Sequence, residues 1–355
     1  MLQRSGMHIV YSVILAHFGD RQGQLIRLGQ SLTRDWTTGA LYSSLAKRFN
    51  ATQHPALCTA TASWPIRNSG MGSDVHVWST ALCKAALSNA VLFPTGTWIW
   101  SDASFCKGQD GFTCYFGAYT HCALPSTFDR RYGKARYCGA LSLGGTVAVR
   151  RAATEFLFRR LPDRVLEMAD RLAERLLPVP HRHMITVHIR WGDKWKESRL
   201  PGIDEYIDAV QTMSRRNGLG HRLQIFLTSE SPSAITAFRS AAPSGWQLYW
   251  NPEAWINTTD DGAGPTRTSG QKMKAYLWEL LGHHQHGDIS QGIDSEGRMG
   301  LVSLMTLLLA MESRYFVLTT SSNWSRLINE LRLSRIEPIY PGSTDMIDIV
   351  HGRWR

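Results

Sequence analysis

The sequence lacks several features that mark whole classes of protein. It has no low-complexity tract and no block of five or six like charges, although 39 Lys and Arg against 29 Asp and Glu give a formal net charge of +10. Because the basic residues are scattered and no RNP, KH or helix-turn-helix signature is present, we expect no nucleic-acid partner. The positive charge fits an anionic ligand such as a diphosphate, although an ordinary solvated surface is the more common cause of such an excess.

Also missing is an apolar run long enough to predict a membrane span. Residues 7–18 are mildly apolar, but His8, Ser12 and His17 interrupt them and they are shorter than the ~20 residues that a spanning helix needs. The charged segment and uninterrupted apolar stretch of a signal peptide are missing too. We therefore expect contact with a membrane only through an anchor that is not evident in this chain. The sequence leaves the oligomeric state open.

Cysteine is absent from residues 139–355, and all six cysteines lie between 58 and 138. There is no C-x-x-C pair, which argues against a structural zinc site. An even number of cysteines in one region predicts disulfides and an oxidising compartment such as the secretory lumen, and six reduced core thiols are the alternative. Sequons at Asn50, Asn257 and Asn323 agree with a lumenal glycoprotein.

The apolar patterns predict an α/β protein of two domains and a tail. Residues 1–180 mix helical stretches with a region rich in Gly, Cys and aromatic residues, and form the predicted N-terminal domain with the disulfides. Residues 181–333 alternate strands and helices, which predicts a parallel sheet and a Rossmann-like domain. Residues 334–355 are predicted to be a C-terminal tail. The predicted strands of the second domain are 184–190, 223–228, 246–250 and 315–320, and the helices are 203–215, 232–239, 298–313 and 323–333.

Charged residues follow the first of these strands. His188 and Arg190 share one face of the predicted strand because side chains alternate along it, and a guanidinium matches a phosphate in bidentate fashion. Beyond the strand, Asp193, Lys194 and Glu197 bring both signs of charge into one loop, and Glu197 is suited to accept a proton from a hydroxyl. The alternative is a surface loop with weak salt bridges. The position after a buried strand of a parallel sheet favours a ligand site.

Two further stretches lie where helices are predicted to begin. Gly70-Met71-Gly72 precedes a helix, so its backbone N–H groups can approach an anion, although a lone G-x-G also occurs in ordinary turns. Ser321-Ser322-Asn323 joins the last strand to the last helix. Its hydroxyl and N–H groups can receive phosphate oxygens, and the alternative is a helix cap without a ligand.

Metal-binding patterns are weak. No D-x-D triplet follows a strand, and no P-loop or G-x-S-x-G elbow is present. The composition of the loop that contains His283, His284, His286 and Asp288 favours a solvated stretch over a metal site. The sequence therefore predicts no bound metal.

Together, these stretches resemble the α1,6-fucosyltransferase family and its bacterial chitooligosaccharide-modifying relatives. The family has a strand ending in H-[VI]-R-R-x-D-K, then a Glu, then E-E-Y; it also has a glycine turn before a long helix and a segment F-L-V-C-T-F-S-S-Q-V-C-R. The matching stretches here are His188-Ile-Arg190-Trp-Gly-Asp193-Lys194, Glu197, Glu205-Tyr206, Gly70-Met71-Gly72 with His76, and residues 316–326. The resemblance spans roughly residues 55–333.

The resemblance implies a two-domain GT-B-like fold, with an acceptor-side N-terminal domain and a Rossmann-type C-terminal parallel sheet with helices on both faces. It also implies an inverting transfer of L-fucose from GDP-β-L-fucose to a hydroxyl of a glycan acceptor, without a metal or other cofactor. The expected location is the lumen of the secretory pathway, in the Golgi. The only expected partners are this nucleotide-sugar donor and the glycan acceptor.

The catalytic group implied by the resemblance comprises Glu197, Lys194, Arg190 and Asp193. Arg190 would hold the β-phosphate with the help of the glycine turn and Ser322, and Glu197 would be the base, positioned by Lys194. His188 would lie against the nucleotide. The donor-binding residues would be His188, Arg190, Gly70, Met71, Gly72, Ser321, Ser322, Asn323 and Thr306.

Three further points follow from the comparison with the family pattern. A Cys58–Cys83 disulfide is implied, because Cys58 falls near a family cysteine that pairs across the glycine turn. Trp191 stands in the place of the family's second Arg, and Thr306 in the place of an acidic residue that meets the guanine edge. Two alternatives therefore stay open: a related transferase with another nucleotide-sugar donor, and a catalytically silent glycan-binding protein of the same fold.

Overall fold

The computed structural model describes residues 39–132, 138, 144–177, 183–191, 199–255, 296–338 and 341–349. Within these ranges the chain forms two parallel sheets with helices packed around them. No helix in the described ranges is both long enough and apolar enough to cross a membrane.

The first sheet has three strands in the order β2-β1-β3, all parallel. Its strands are β1 (Thr61–Pro65), β2 (Val91–Thr95) and β3 (Arg130–Arg131). The helices of this half are α1 (Ser44–Gln53), α2 (Met71–Leu87), α3 (Ala103–Cys106), α4 (Gly111–Phe116), α5 (Gly145–Leu157) and α6 (Asp163–Leu176). The glycine turn therefore connects β1 to α2, at the carboxyl end of the central strand.

The second sheet has five parallel strands in the order β6-β5-β4-β7-β8. They are β4 (Ile185–His188), β5 (Gln224–Thr228), β6 (Gln247–Trp250), β7 (Tyr315–Leu318) and β8 (Asp345–Asp348). The helices are α7 (Ile203–Asn217), α8 (Pro232–Ala241), α9 (Arg298–Ala310) and α10 (Asn323–Leu331), with a 3-10 turn at Pro252–Trp255 and a π-helix at Arg332–Ile336.

Helices cover both faces of this sheet, because alternate strand residues point into different cores. Val187, Leu227 and Val317 pack with α7 and α8, whereas Phe226 and Phe316 belong to the core that contains α9 and α10. The predicted Rossmann-type parallel sheet with helices on both faces is therefore confirmed.

The segment predicted to be a tail contributes β8, the edge strand of the sheet. Its short Asp-Met-Ile-Asp pattern resembles a solvated stretch more than a strand.

The larger core joins the two halves of the chain. It includes Phe112 and Phe156 from the N-terminal half together with Leu304 and Leu327 from the C-terminal half. The division of the chain at residue 180 stays a prediction.

Three disulfides connect the six cysteines: Cys58–Cys122, Cys83–Cys138 and Cys106–Cys114. Disulfides are thus confirmed, and they are typical of an oxidising compartment. The implied Cys58–Cys83 pair is wrong. Cys83 is a fully buried residue of α2, whereas Cys58 is exposed before β1, so the two sulfurs lie at different depths and each has another partner.

Gly300 lies where the two halves of the chain pack closely, so a substitution there tests this packing. A Cβ at this position of α9 would overlap the backbone carbonyl of Trp100 in the N-terminal half. We expect Gly300→Ala to lower the free energy of unfolding by about 1–3 kcal/mol, because backbone must move to accept the methyl group. Thermal or urea unfolding measures this, with Ser303→Ala on the same helix as the control. Equal stability of Gly300→Ala and wild type would contradict the close packing of α9.

Candidate functional site

The strand order places a ligand crevice at one edge of the five-stranded sheet. β4 and β7 are neighbours, and from them the chain winds outward in opposite directions, to β5 and β6 on one side and to β8 on the other. In open α/β sheets, ligands bind outside the carboxyl ends of the strands at such a switch point. His188 is the last residue of β4, Arg190 follows this strand, and Ser321-Ser322-Asn323 follows β7.

His188 is a buried, neutral residue. It is 1% exposed, and its Nδ1 lies 2.6 Å from the hydroxyl oxygen of Ser325, which also accepts the N–H of Thr319 at 3.1 Å. Burial lowers the pKa of His188 to about 3, and the nearby charge of Arg190 acts in the same direction. The imidazole therefore contributes shape and hydrogen bonding to the site, and no positive charge near neutral pH.

Arg190 lies at the point where β4 has ended. The strand stops at His188, two residues earlier than predicted, so strand alternation does not fix the direction of the Arg190 side chain. Its Nη1 donates to the backbone carbonyl of Trp191 at 2.9 Å and to the carboxylate of Glu230. The guanidinium is thus held by Glu230, which follows β5 and was not among the predicted site residues.

Trp191 is part of the core beside this site. It is 5% exposed, packs with the α7 side of the sheet and donates its indole N–H to Pro201 O at 3.0 Å. The residue that replaces the second Arg of the family pattern therefore stabilises the end of β4 and is directed away from solvent.

Buried hydrogen bonds join the ends of β4, β7 and β8. The Tyr206 hydroxyl accepts the N–H of Arg190 at 3.4 Å and lies 2.6 Å from Thr319 Oγ1. Burial raises the pKa of Tyr206 to about 12, so the phenol keeps its proton and can donate it to Thr319. Asp348 accepts the N–H of Thr320 at 3.1 Å and also the Thr320 hydroxyl. The backbone that precedes Ser321 is therefore firmly held.

The glycine turn and the strand–helix junction lie in direct contact. A Cβ on Gly72 would lie 3.3 Å from the backbone of Asn323 and Trp324. Ser322 is the N-cap of α10 and accepts the N–H of Trp324, while the hydroxyl of Ser321 is buried without a hydrogen-bond partner among the described residues. Two of the three predicted stretches thus meet. The Met71 side chain packs in the core, which leaves its backbone as the part that can face a ligand.

Asp74 fixes the glycine turn from inside. This fully buried carboxylate accepts the N–H of Ser69 at 3.1 Å and the indole N–H of Trp98 at 2.9 Å. Burial raises the pKa of Asp74 to about 6, against the smaller opposing effect of these hydrogen bonds. Asp74 was not among the predicted site residues, although an acidic residue in the first turn of a helix is a usable signal.

Thr306 lies farther along the sheet edge. It is 5% exposed on α9, and its hydroxyl donates to Val302 O at 2.8 Å and accepts from Asn251 Nδ2 at 3.0 Å. Asn251 follows β6, which is separated from β7 by two strands. The contact of Thr306 with a donor stays a prediction, and Asn251 is its structural partner.

Several predicted residues lie outside the described ranges: Asp193, Lys194 and Glu197, the sequon at Asn257, and the loop residues His283, His284, His286 and Asp288. Among the residues that are described, one cluster has atoms close enough to share a metal ion, namely Cys58, His121 and Cys122. Its two sulfurs are joined in a disulfide, so they are not available as thiolate ligands.

No protein-family model and no curated protein sequence matches the chain. Its fold is similar to solved structures of fucosyltransferases. POFUT1 in complex with GDP-fucose gives a TM-score of 0.49 at 10% identity and covers 82% of this chain and 98% of that chain. A mutant of Arabidopsis thaliana FUT1 in complex with GDP gives 0.45 at 10% identity, with 84% and 74% covered. The fucosyltransferase NodZ from Bradyrhizobium gives 0.40 at 14% identity, with 76% and 93% covered.

The raised pKa of Asp74 predicts a pH-dependent stability. Its folded-state pKa of about 6 exceeds the ordinary value of 3.8, so the folded protein holds this proton more tightly than the unfolded chain. The corresponding stabilisation is complete below about pH 4 and is lost as the pH rises through 6, by at most ~3 kcal/mol. Urea unfolding at several pH values measures it.

In Asp74→Asn, this decrease in stability between pH 4 and pH 7 should disappear, although the overall stability should be lower because the amide nitrogen cannot accept the Trp98 N–H. Asp129→Asn is the control: hydrogen bonds from Thr61 lower the pKa of Asp129, so its contribution is lost as the pH falls. The same pH dependence in wild type and Asp74→Asn would show that Asp74 does not titrate in this range.

Proposed function

We propose that the chain is an inverting, metal-independent glycosyltransferase that transfers L-fucose from GDP-β-L-fucose to a hydroxyl of a glycan acceptor in the Golgi lumen. The observation that carries this proposal is the contact between the glycine turn and the start of α10, at the edge where Arg190 follows β4. The backbone N–H groups and the positive dipole ends of two helices meet there, which is the arrangement that attracts a phosphate.

A diphosphate fits this place better than an uncharged ligand. The N-termini of α2 and α10 supply backbone donors, Ser321 supplies a hydroxyl, and Arg190 supplies a formal positive charge in a fork geometry suited to phosphate oxygens. His188 and Tyr206 are buried beneath the same edge and keep it rigid. Such preorganised positive groups stabilise the charge that develops on a departing diphosphate, without requiring a cation.

The reaction that fits these groups is a single displacement. The acceptor hydroxyl oxygen forms a bond to the anomeric carbon of fucose, and the bond from that carbon to the β-phosphate oxygen breaks, which inverts β to α. Glu197, positioned by Lys194 with Asp193 beside it, takes the hydroxyl proton, and Arg190 neutralises the charge left on GDP. These roles of the loop residues come from the family resemblance.

The assignment of roles is tested by GDP release from GDP-fucose with a panel of glycan acceptors. We expect Arg190→Ala to lower turnover by about 10²–10³-fold, because a preorganised charge on the leaving group is lost. Glu197→Gln should lower it by about 10²–10⁴-fold, because the base is lost. The matched controls are Arg239→Ala and Glu253→Gln. Arg239 lies over the Trp250 ring, and Glu253 forms an exposed ion pair with Arg175. Unchanged turnover in either site variant would overturn that residue's role.

Nucleotide selectivity tests the donor separately from the chemistry. We expect GDP to raise the melting temperature of the protein and UDP to leave it unchanged, because a ligand that binds only the folded state stabilises it by about 2.7 kcal/mol at a hundred times its Kd. A shift with UDP alone would favour a related transferase with another donor. Glycan binding without any nucleotide shift would favour a catalytically silent lectin-like protein.

A further inference from the structure

A buried histidine joins the two helices that form the proposed phosphate site. His76 is 3% exposed and lies between α2 and α10. Its Nδ1 is 2.9 Å from Asn323 Oδ1, and its Nε2 is 3.1 Å from Glu330 Oε2. Asn323 and Glu330 are two turns apart on the same face of α10. One imidazole ring therefore holds the first and the third turn of this helix against α2.

The hydrogen-bond partners define the direction of these contacts. Arg326 also donates to Asn323 Oδ1, so this atom is the amide oxygen and His76 Nδ1 donates to it. Thr154 of α5 donates its hydroxyl to the same Glu330 oxygen at 2.9 Å, so this oxygen is hydrogen-bonded to both Thr154 and His76 Nε2. Because Thr154, His76 and Glu330 are all buried, the loss of one partner leaves a polar group without water to replace it.

The network extends from this pair to the ligand edge. Arg326 Nη1 donates to Thr320 O at 3.3 Å, directly before Ser321. Asn323 is the residue whose backbone lies against Gly72. Through its hydrogen bond to Asn323, His76 thus stabilises the backbone that the proposed function assigns to phosphate binding.

We propose that His76, together with Glu330, is a positioning residue for donor binding: the pair holds the start of α10 against the glycine turn and keeps the anion site assembled. This inference rests on the proposed function. It differs from a general role in stability, because a positioning pair changes donor affinity in protein that is still folded, whereas a merely structural pair changes only the unfolding midpoint.

The test compares His76→Phe with wild type and with His54→Phe, which removes a partly buried histidine of the same half. We expect His76→Phe to raise the Kd for GDP, measured by calorimetry, and the KM for GDP-fucose by about tenfold, with the acceptor KM unchanged. His54→Phe should retain wild-type values. The double variant His76→Phe/Glu330→Gln should bind GDP no more weakly than His76→Phe alone, because the two side chains act as one unit.

Folded His76→Phe protein with wild-type GDP affinity and donor KM would overturn the inference, even if its melting temperature falls. If His76→Phe does not fold, Glu330→Gln, which keeps the size of the side chain, carries the test: unchanged GDP affinity overturns the inference, and a several-fold loss supports it. If wild type itself binds no GDP, the proposed function fails, and the inference that rests on it fails with it.

Discussion

The approach of α2 to α10 at Gly72 is the contact on which the site depends. A side chain at this position would press on the backbone of Asn323 and Trp324, so glycine permits two helix starts to meet at a distance where a Cβ would require a shift of a few tenths of an ångström. Each helix start carries unpaired N–H groups and about half a positive charge. The backbone alone therefore creates an anion-attracting place, before any side chain contributes. The larger core, which contains residues of both halves, keeps the two helices together.

The buried polar groups near this contact serve to hold backbone in position. Asp74 fixes the turn that begins α2, Asp348 fixes Thr320, and Ser325 joins His188 to Thr319. Each such group would cost free energy if it lost its partner in the core, so the network has one arrangement in which all members are satisfied. A rigid edge of this kind suits a site that must be formed before its ligand arrives.

Much of the C-terminal half could be predicted from sequence, because its strands are continuous apolar runs and its helices have clear starts. The bounds of β5, β6, α7 and α10 lie within two residues of the prediction. β8 was missed, since four residues with two aspartates carry no strand signal until a neighbour pairs with them. The pairing of Cys58 was wrong because it was taken from the position of a family cysteine, which does not show how deep each sulfur lies in this fold. Glu230 and Glu330 were missed as well, because their partners are distant in sequence.

The positive potential at this site depends on where the two helix starts lie, because the side-chain charges there partly cancel. Trp191 occupies the core where the family pattern has a second Arg, and Glu230 offsets part of the charge of Arg190. His188 is neutral because burial lowers its pKa to about 3. Among the described residues at this edge, the two helix starts therefore contribute positive potential beside the guanidinium, and the buried Asp74 in the first turn of α2 offsets part of it above its pKa of about 6. Since that potential decreases within one helical turn, a small separation of α2 from α10 would weaken it more than the loss of a distant surface cation would.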